Sequence, residues 1–169
     1  MKLCIAYYSP GENTQKLAFS VAGKLPHLSP VLVDLEYESL PTDCDHYLIG
    51  FGVRRNACPM QVLESLALLP PSRVAFFVTA ALGKNDAYEA LLTRQIQAFL
   101  PEHTALLGLH QCAGALSQEG RAYFEDQLRT LNQPELYEKV VRECYGHPDE
   151  NDIQSLIAFC RAWLEEENT

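Results

Sequence analysis

A doubly wound α/β domain, with a five-stranded parallel sheet between two layers of helices, is the fold class this sequence predicts. Three observations carry that expectation. Short runs rich in Val, Ile, Leu and Phe alternate with longer segments whose apolar residues recur every three or four positions. Turn formers and prolines separate these segments, with no linker, repeat or low-complexity stretch between them. At 169 residues and 47% apolar composition, the chain suffices for one core packed between a sheet and its helices. A single domain over residues 1–169 is therefore expected, with a less regular appended segment at about 113–148.

Residues 2–8 form an apolar run without helical period that stops at Ser-Pro-Gly-Glu-Asn-Thr, which reads as a buried strand and a loop. From Asn13, Leu17, Ala18, Val21, Ala22 and Leu25 make one helix face that ends near Pro26. Residues 30–35 and 47–51 fit a second and third strand. After the polar loop 52–58, Pro59 suits a first helical turn, with Val62, Leu63, Leu66 and Leu69 inward and Pro70-Pro71 closing the helix.

Residues 73–79 read as a fourth strand. Asn85 or Asp86 is placed to cap a helix that buries Tyr88, Leu91, Leu92, Ile96 and Phe99. Residues 104–112 are the fifth strand, where Gly108 weakens the helical alternative. Helical pieces are expected around 123–131 and 136–144. Asp149 then opens a terminal helix with an inner stripe of Ile153, Leu156, Ile157, Cys160, Trp163 and Leu164. Parallel strands joined by right-handed crossovers bring every strand-to-helix loop to one sheet edge.

Charge and cysteine usage narrow the function classes. Thirteen basic against 22 acidic residues give a net charge of −9, which repels nucleic acid and anionic lipid and suits a partner with a basic patch, or serves solubility alone. No apolar stretch approaches the roughly 20 residues that span a bilayer, and residues 1–11 lack a signal-peptide layout, so a cytoplasmic location is expected. The six cysteines show no C-x-x-C spacing. Most read as core residues; Cys44 and Cys58, near strand ends, are expected to be more accessible, Cys58 above all.

A cysteine-nucleophile phosphatase or arsenate reductase needs an arginine six positions after the cysteine, whereas Glu64 and Gln118 follow Cys58 and Cys112 at that distance. A magnesium-dependent receiver domain needs acidic strand ends where Tyr8-Ser9 and Gly50-Phe51 stand. The five histidines lie in different predicted elements without a helical i, i+4 pair, and no metal is expected. His110 and Cys112 share a strand face, which is also what ordinary core packing gives.

Ligands of open α/β sheets bind beyond the carboxyl ends of the strands. In the first such loop, residues 9–14, Ser9, Asn13 and Thr14 carry side-chain donors and the helix N-terminus supplies backbone amides, a combination that favours a phosphate. Here Tyr-Tyr-Ser-Pro-Gly-Glu-Asn-Thr resembles the phosphate-cradling loop of the flavodoxin family. The Leu-Ile-Gly end of the third strand, Phe-Phe-Val-Thr in the fourth, Cys-Ala-Gly after the fifth and the His-Pro-Asp-Glu-Asn-Asp lead into the last helix are similar to that family in the same order. Aligned on Ser9, Asn13 and Thr14, the family's Thr-Gly falls on Gly11-Glu12, which sets a carboxylate in the loop.

The resemblance implies a flavodoxin-like three-layer sandwich that binds FMN through Ser9, Gly11, Glu12, Asn13 and Thr14. It also implies ring contacts from Gly52, Val53, Arg54, Arg55 and Asn56 and from Thr79, Ala80, Ala81, Leu82 and Gly83, with no catalytic residue of the protein's own. The aromatic that many relatives place in the second loop is missing. Arg54 or Arg55 either takes its place beside the flavin or is a solvated surface arginine. The implied role is an electron-transfer protein serving a reductase with a basic docking surface. Two alternatives stand beside it: an accessory protein that has lost FMN, and an FMN-dependent quinone or azo reductase roofed by the appended segment.

Overall fold

Leu3–Tyr8 (β1), Val31–Asp34 (β2), His46–Gly52 (β3), Ser72–Ala80 (β4) and Thr104–Ala113 (β5) pair in the order β2-β1-β3-β4-β5, all parallel. This is a computed structural model, which describes residues 1–81, 83–133 and 135–165. The sheet has helices on both faces, so its central strands lack the alternation of a half-solvated sheet. Residues 3–7, 46–51 and 74–80 are buried without a break, as the near-continuous apolar runs require.

On one face Asn13–Lys24 (α1) and Glu150–Glu165 (α6) pack Leu17, Val21, Ile153, Leu156 and Cys160 against Leu3, Ile5, Leu48 and Phe77. On the other, Met60–Leu66 (α2) and Asp86–Gln97 (α3) set Val62, Leu66, Leu92 and Ile96 against Ile49, Phe51, Phe76 and Val78. The whole terminal stripe predicted for α6 is buried. Asn85 caps α3 by accepting from the Tyr88 N–H at 3.0 Å. Gln118–Thr130 (α4) and Glu135–Cys144 (α5) form the appended segment as two helices that pack on each other.

Several expectations need correction. Leu91 and Phe99 are 39% and 42% exposed, because α3 turns only Leu92 and Ile96 fully inward. Pro59 is the N-cap of α2 rather than part of its first turn. Cys44 and Cys58 are buried like the other four cysteines, because both pack into the hydrophobic cluster between the sheet and α2 and α3. Burial pushes the Cys58 thiol up to about 12, far from a reactive thiolate. His110 and Cys112 pack as ordinary core neighbours on one strand face, as expected. The imidazole stacks on Phe159 at 5.3 Å, and the Cys112 thiol donates to the Asp152 carbonyl at 3.9 Å.

Two close fits hold the sheet in register. Gly50 of β3 lies opposite Phe77 of β4, and a Cβ at position 50 would meet the Phe77 ring at 2.1 Å. In β5 the pairing skips Leu107, and Gly108, at φ 148°, absorbs the irregularity beneath the Phe159 ring.

Gly50→Ala is expected to destabilise the fold by about 3 kcal/mol through overpacking, measured by chemical denaturation. Phe77→Leu in the same background should recover part of that loss in a double-mutant cycle. A thiol reagent should label none of the six cysteines within minutes in the native protein and all six after denaturation, and fast native labelling of Cys58 would contradict its burial.

Candidate functional site

With strand order β2-β1-β3-β4-β5 the direction of winding reverses between β1 and β3, so their carboxyl ends, Tyr8 and Gly52, open the crevice where this topology binds ligands. Three loops surround it.

The first, residues 9–14, is a tight turn leading into α1. Glu12 N–H donates to the Ser9 carbonyl at 3.1 Å, and Asn13 N–H to the Gly11 carbonyl at 2.9 Å. Ser9 Oγ accepts from Gln15 N–H at 3.0 Å, which leaves the hydroxyl proton to donate elsewhere. Among the described residues the N–H groups of Gly11 and Thr14 find no acceptor. Thr14 is buried, so its orphaned amide at a helix N-terminus suits an anion seated on the turn.

Glu12 takes the left-handed conformation at φ 65°, at the position where the family pattern has glycine. Its side chain is exposed, so water screens the carboxylate from the turn. Asn13 and Thr14 face inward instead. Asn13 Nδ2 donates to the Ala115 carbonyl at 2.8 Å, and the Thr14 and Thr79 hydroxyls share a buried hydrogen bond of 3.0 Å. The fit to a phosphate monoester therefore rests on the Ser9 hydroxyl and the Gly11 and Thr14 amides, not on the Asn13 and Thr14 side chains.

The second loop, after β3, begins with Val53 N–H donating to the Thr79 carbonyl at 2.9 Å. It then closes as a tight turn over residues 54–57, with Arg55 and Asn56 at φ 50° and 61°. Asn tolerates that conformation, whereas Arg55 adopts it at a cost of about 1 kcal/mol. Gln95 of α3 fixes the turn, with Oε1 accepting from Cys58 N–H at 3.2 Å and Nε2 donating to the Asn56 carbonyl at 3.3 Å. Arg54 is exposed, and the Arg55 guanidinium lies 5.4 Å from the centre of the Tyr123 ring on α4.

The third loop starts at Thr79 and Ala80, both buried, and continues through half-buried Ala81 and Gly83. Leu82 lies outside the described residues. The Ala80 carbonyl accepts from Gly83 N–H and Gly114 N–H, each at 3.1 Å, and Gly83 has φ 60°. Gly114 closes the crevice from the β5 side. A Cβ there would stand 3.0 Å from Thr79 Cβ and 3.1 Å from Asn13 Nδ2.

Local patterning of the three loops did not point to Gln95, Ala115 or Tyr123. The Gln95 spacing on α3 and the aromatic of α4 were visible, but only the tertiary fold directs them here. At the start of α6, His147, Asp149 and Asp152 gather within 4.8 Å, an arrangement that a survey of histidines alone misses. Capping accounts for it. Asp149 Oδ1 accepts from Asn151 and Asp152 N–H, and Asp152 Oδ2 accepts from Asp149 N–H and from His147 Nδ1 at 2.6 Å. The Asp152 N–H bond, reinforced by that of Asn151, holds the Asp149 carboxyl below its ordinary range.

Comparison with known proteins agrees with this architecture. A family model described as Flavodoxin domain matches residues 4–161. The Flavodoxin-like domain-containing protein BilS of Clostridioides difficile (strain CD3) is 23% identical over 171 residues, covering 95% of each chain. Among solved structures, a flavodoxin of Streptococcus pneumoniae TIGR4 is similar at TM-score 0.53 and 14% identity, over 84% of this chain and 98% of that one. Oxidised Flavodoxin 2 of Bacillus cereus is similar at TM-score 0.51 and 15% identity, over 98% and 99%. No helix among the described residues is long and apolar enough to cross a membrane. With the family model spanning nearly the whole chain and the strand order that such a domain requires, this chain belongs to the flavodoxin domain family.

Proposed function

We propose that the chain binds FMN in the crevice between β1 and β3 and carries electrons for a partner reductase. One observation carries the reading: the turn into α1 presents the orphaned Gly11 and Thr14 amides and the Ser9 hydroxyl at the switch point, with the Glu12 carboxylate in solvent. These groups would hold the phosphate, while residues 52–56 and 79–83 would flank the ring. FMN supplies the electron-accepting and electron-donating chemistry when bound. The residues of the chain bind it, set its surroundings and shield it from water. Arg54 offers a positive charge at the crevice mouth, and the net charge of −9 suits a redox partner with a basic docking surface.

A second reading, an accessory protein without a flavin, is favoured by the inward commitment of Asn13 and Thr14 to Ala115 and Thr79. Fluorescence titration separates the two. Purified apo-protein is expected to quench FMN with a dissociation constant near 1 μM or below, equivalent to about 8 kcal/mol. Glu12→Gly should tighten binding only about twofold to threefold, because the like charge it removes is screened by solvent. The same change should raise stability by about 1 kcal/mol by relieving the left-handed backbone, read from the melting temperature. No quenching by wild type, with binding restored in Glu12→Gly, would establish the accessory reading instead. The FMN-loaded protein alone should not turn over NAD(P)H with a quinone or azo acceptor, and turnover would move the assignment to a reductase.

A further inference from the structure

The second loop and the described part of the third contain no aromatic residue, yet Tyr123 of α4 lies against the second loop. After β5 the backbone passes over the first loop, where the Ala115 carbonyl accepts from Asn13 Nδ2. Ser117 then caps α4 by accepting from Gly120 N–H at 3.1 Å, and the next turn of the helix brings Tyr123 to the tip of the second loop. The segment thus bridges the two lips of the crevice, one lip following β1 and the other following β3.

Tyr123 is 41% exposed, and the Arg55 guanidinium approaches its ring at 5.4 Å. A half-exposed tyrosine anchored by a cation on a loop that flanks the crevice is a ready surface for a second planar group. Arg55 holds its strained φ of 50° in the turn that carries it there.

We propose that Tyr123, held by Arg55, is the aromatic platform for the isoalloxazine ring, supplied by the appended helices in place of an aromatic in the strand-end loops. This inference rests on the FMN reading above. It gives α4 a definite part in the site, the delivery of the ring contact. The role is binding and positioning of the flavin ring, with no proton transfer by the Tyr123 hydroxyl.

The test compares wild type, Tyr123→Leu and Tyr123→Phe by FMN fluorescence titration, alongside the thermal shift produced by inorganic phosphate, which engages the first loop alone. Tyr123→Leu is expected to weaken FMN about fivefold to tenfold and to restore part of the bound flavin's emission, while the phosphate shift stays at the wild-type value. Tyr123→Phe should bind FMN within about twofold of wild type, because the ring and not the hydroxyl makes the contact. Unchanged FMN affinity and emission in Tyr123→Leu would overturn the platform while leaving the FMN reading intact. Equal loss of FMN and phosphate binding would overturn it too, as damage to the fold. Failure of wild type to bind FMN would overturn both.

Discussion

Thr79, at the carboxyl end of β4, connects every part of the candidate site. Its hydroxyl shares the buried hydrogen bond with Thr14, which fixes the first turn of α1. Its carbonyl accepts from Val53 N–H and so sets where the second loop departs from β3. Its side chain lies against the backbone of Gly52 and Gly114, near enough that a Cβ at position 114 would meet it at 3.0 Å. A buried hydroxyl needs a partner, and here the partner is Thr14, in the turn that opens α1. The crevice is therefore positioned by a rigid central strand rather than by flexible loops, which is how a weakly patterned site can still be pre-organised.

The electrostatics of the first loop follow from which groups that packing uses. Asn13 and Thr14 are drawn inward, so the donors left facing the crevice are backbone amides and the Ser9 hydroxyl. Backbone donors carry no charge and cannot cancel a neighbouring carboxylate, so the direction of the Glu12 side chain decides whether the turn tolerates a dianion. The left-handed backbone at φ 65° turns Glu12 out into solvent, where screening is strong. The residue that looks most damaging in the loop's sequence thereby keeps its side chain in solvent.

The appended helices show the opposite relation between pattern and role. Their amphipathic spacing is evident, and α5 at 135–144 keeps nearly the expected bounds, whereas α4 at 118–130 starts five residues before the expected 123, where Ser117 caps it. Nothing in that spacing says where the pair lies. The contacts that tie it to the rest of the fold include the Asn13 hydrogen bond to the Ala115 carbonyl, the Ala115 N–H bond to the His147 carbonyl and the Arg55–Tyr123 cation–ring contact, most of them between residues far apart in the chain.

The sequence by itself determined the order and type of the elements, the parallel sheet and the edge at which its loops gather. Those properties follow from local periodicity and from the handedness of crossovers, which act over tens of residues. It also determined the three loops around the crevice. Only the tertiary structure decided which side chains face into them. Leu91 and Phe99 share a helical repeat with Leu92 and Ile96, yet only the latter two meet the sheet fully; Cys58, next to a polar loop, is sealed by packing. Thr14 pairs with Thr79, Gln95 clamps Asn56 and Cys58, and Tyr123 reaches Arg55. Each of these contacts joins residues dozens of positions apart, and their energies depend on burial and distance, which exist only once the sheet has brought its strand ends together.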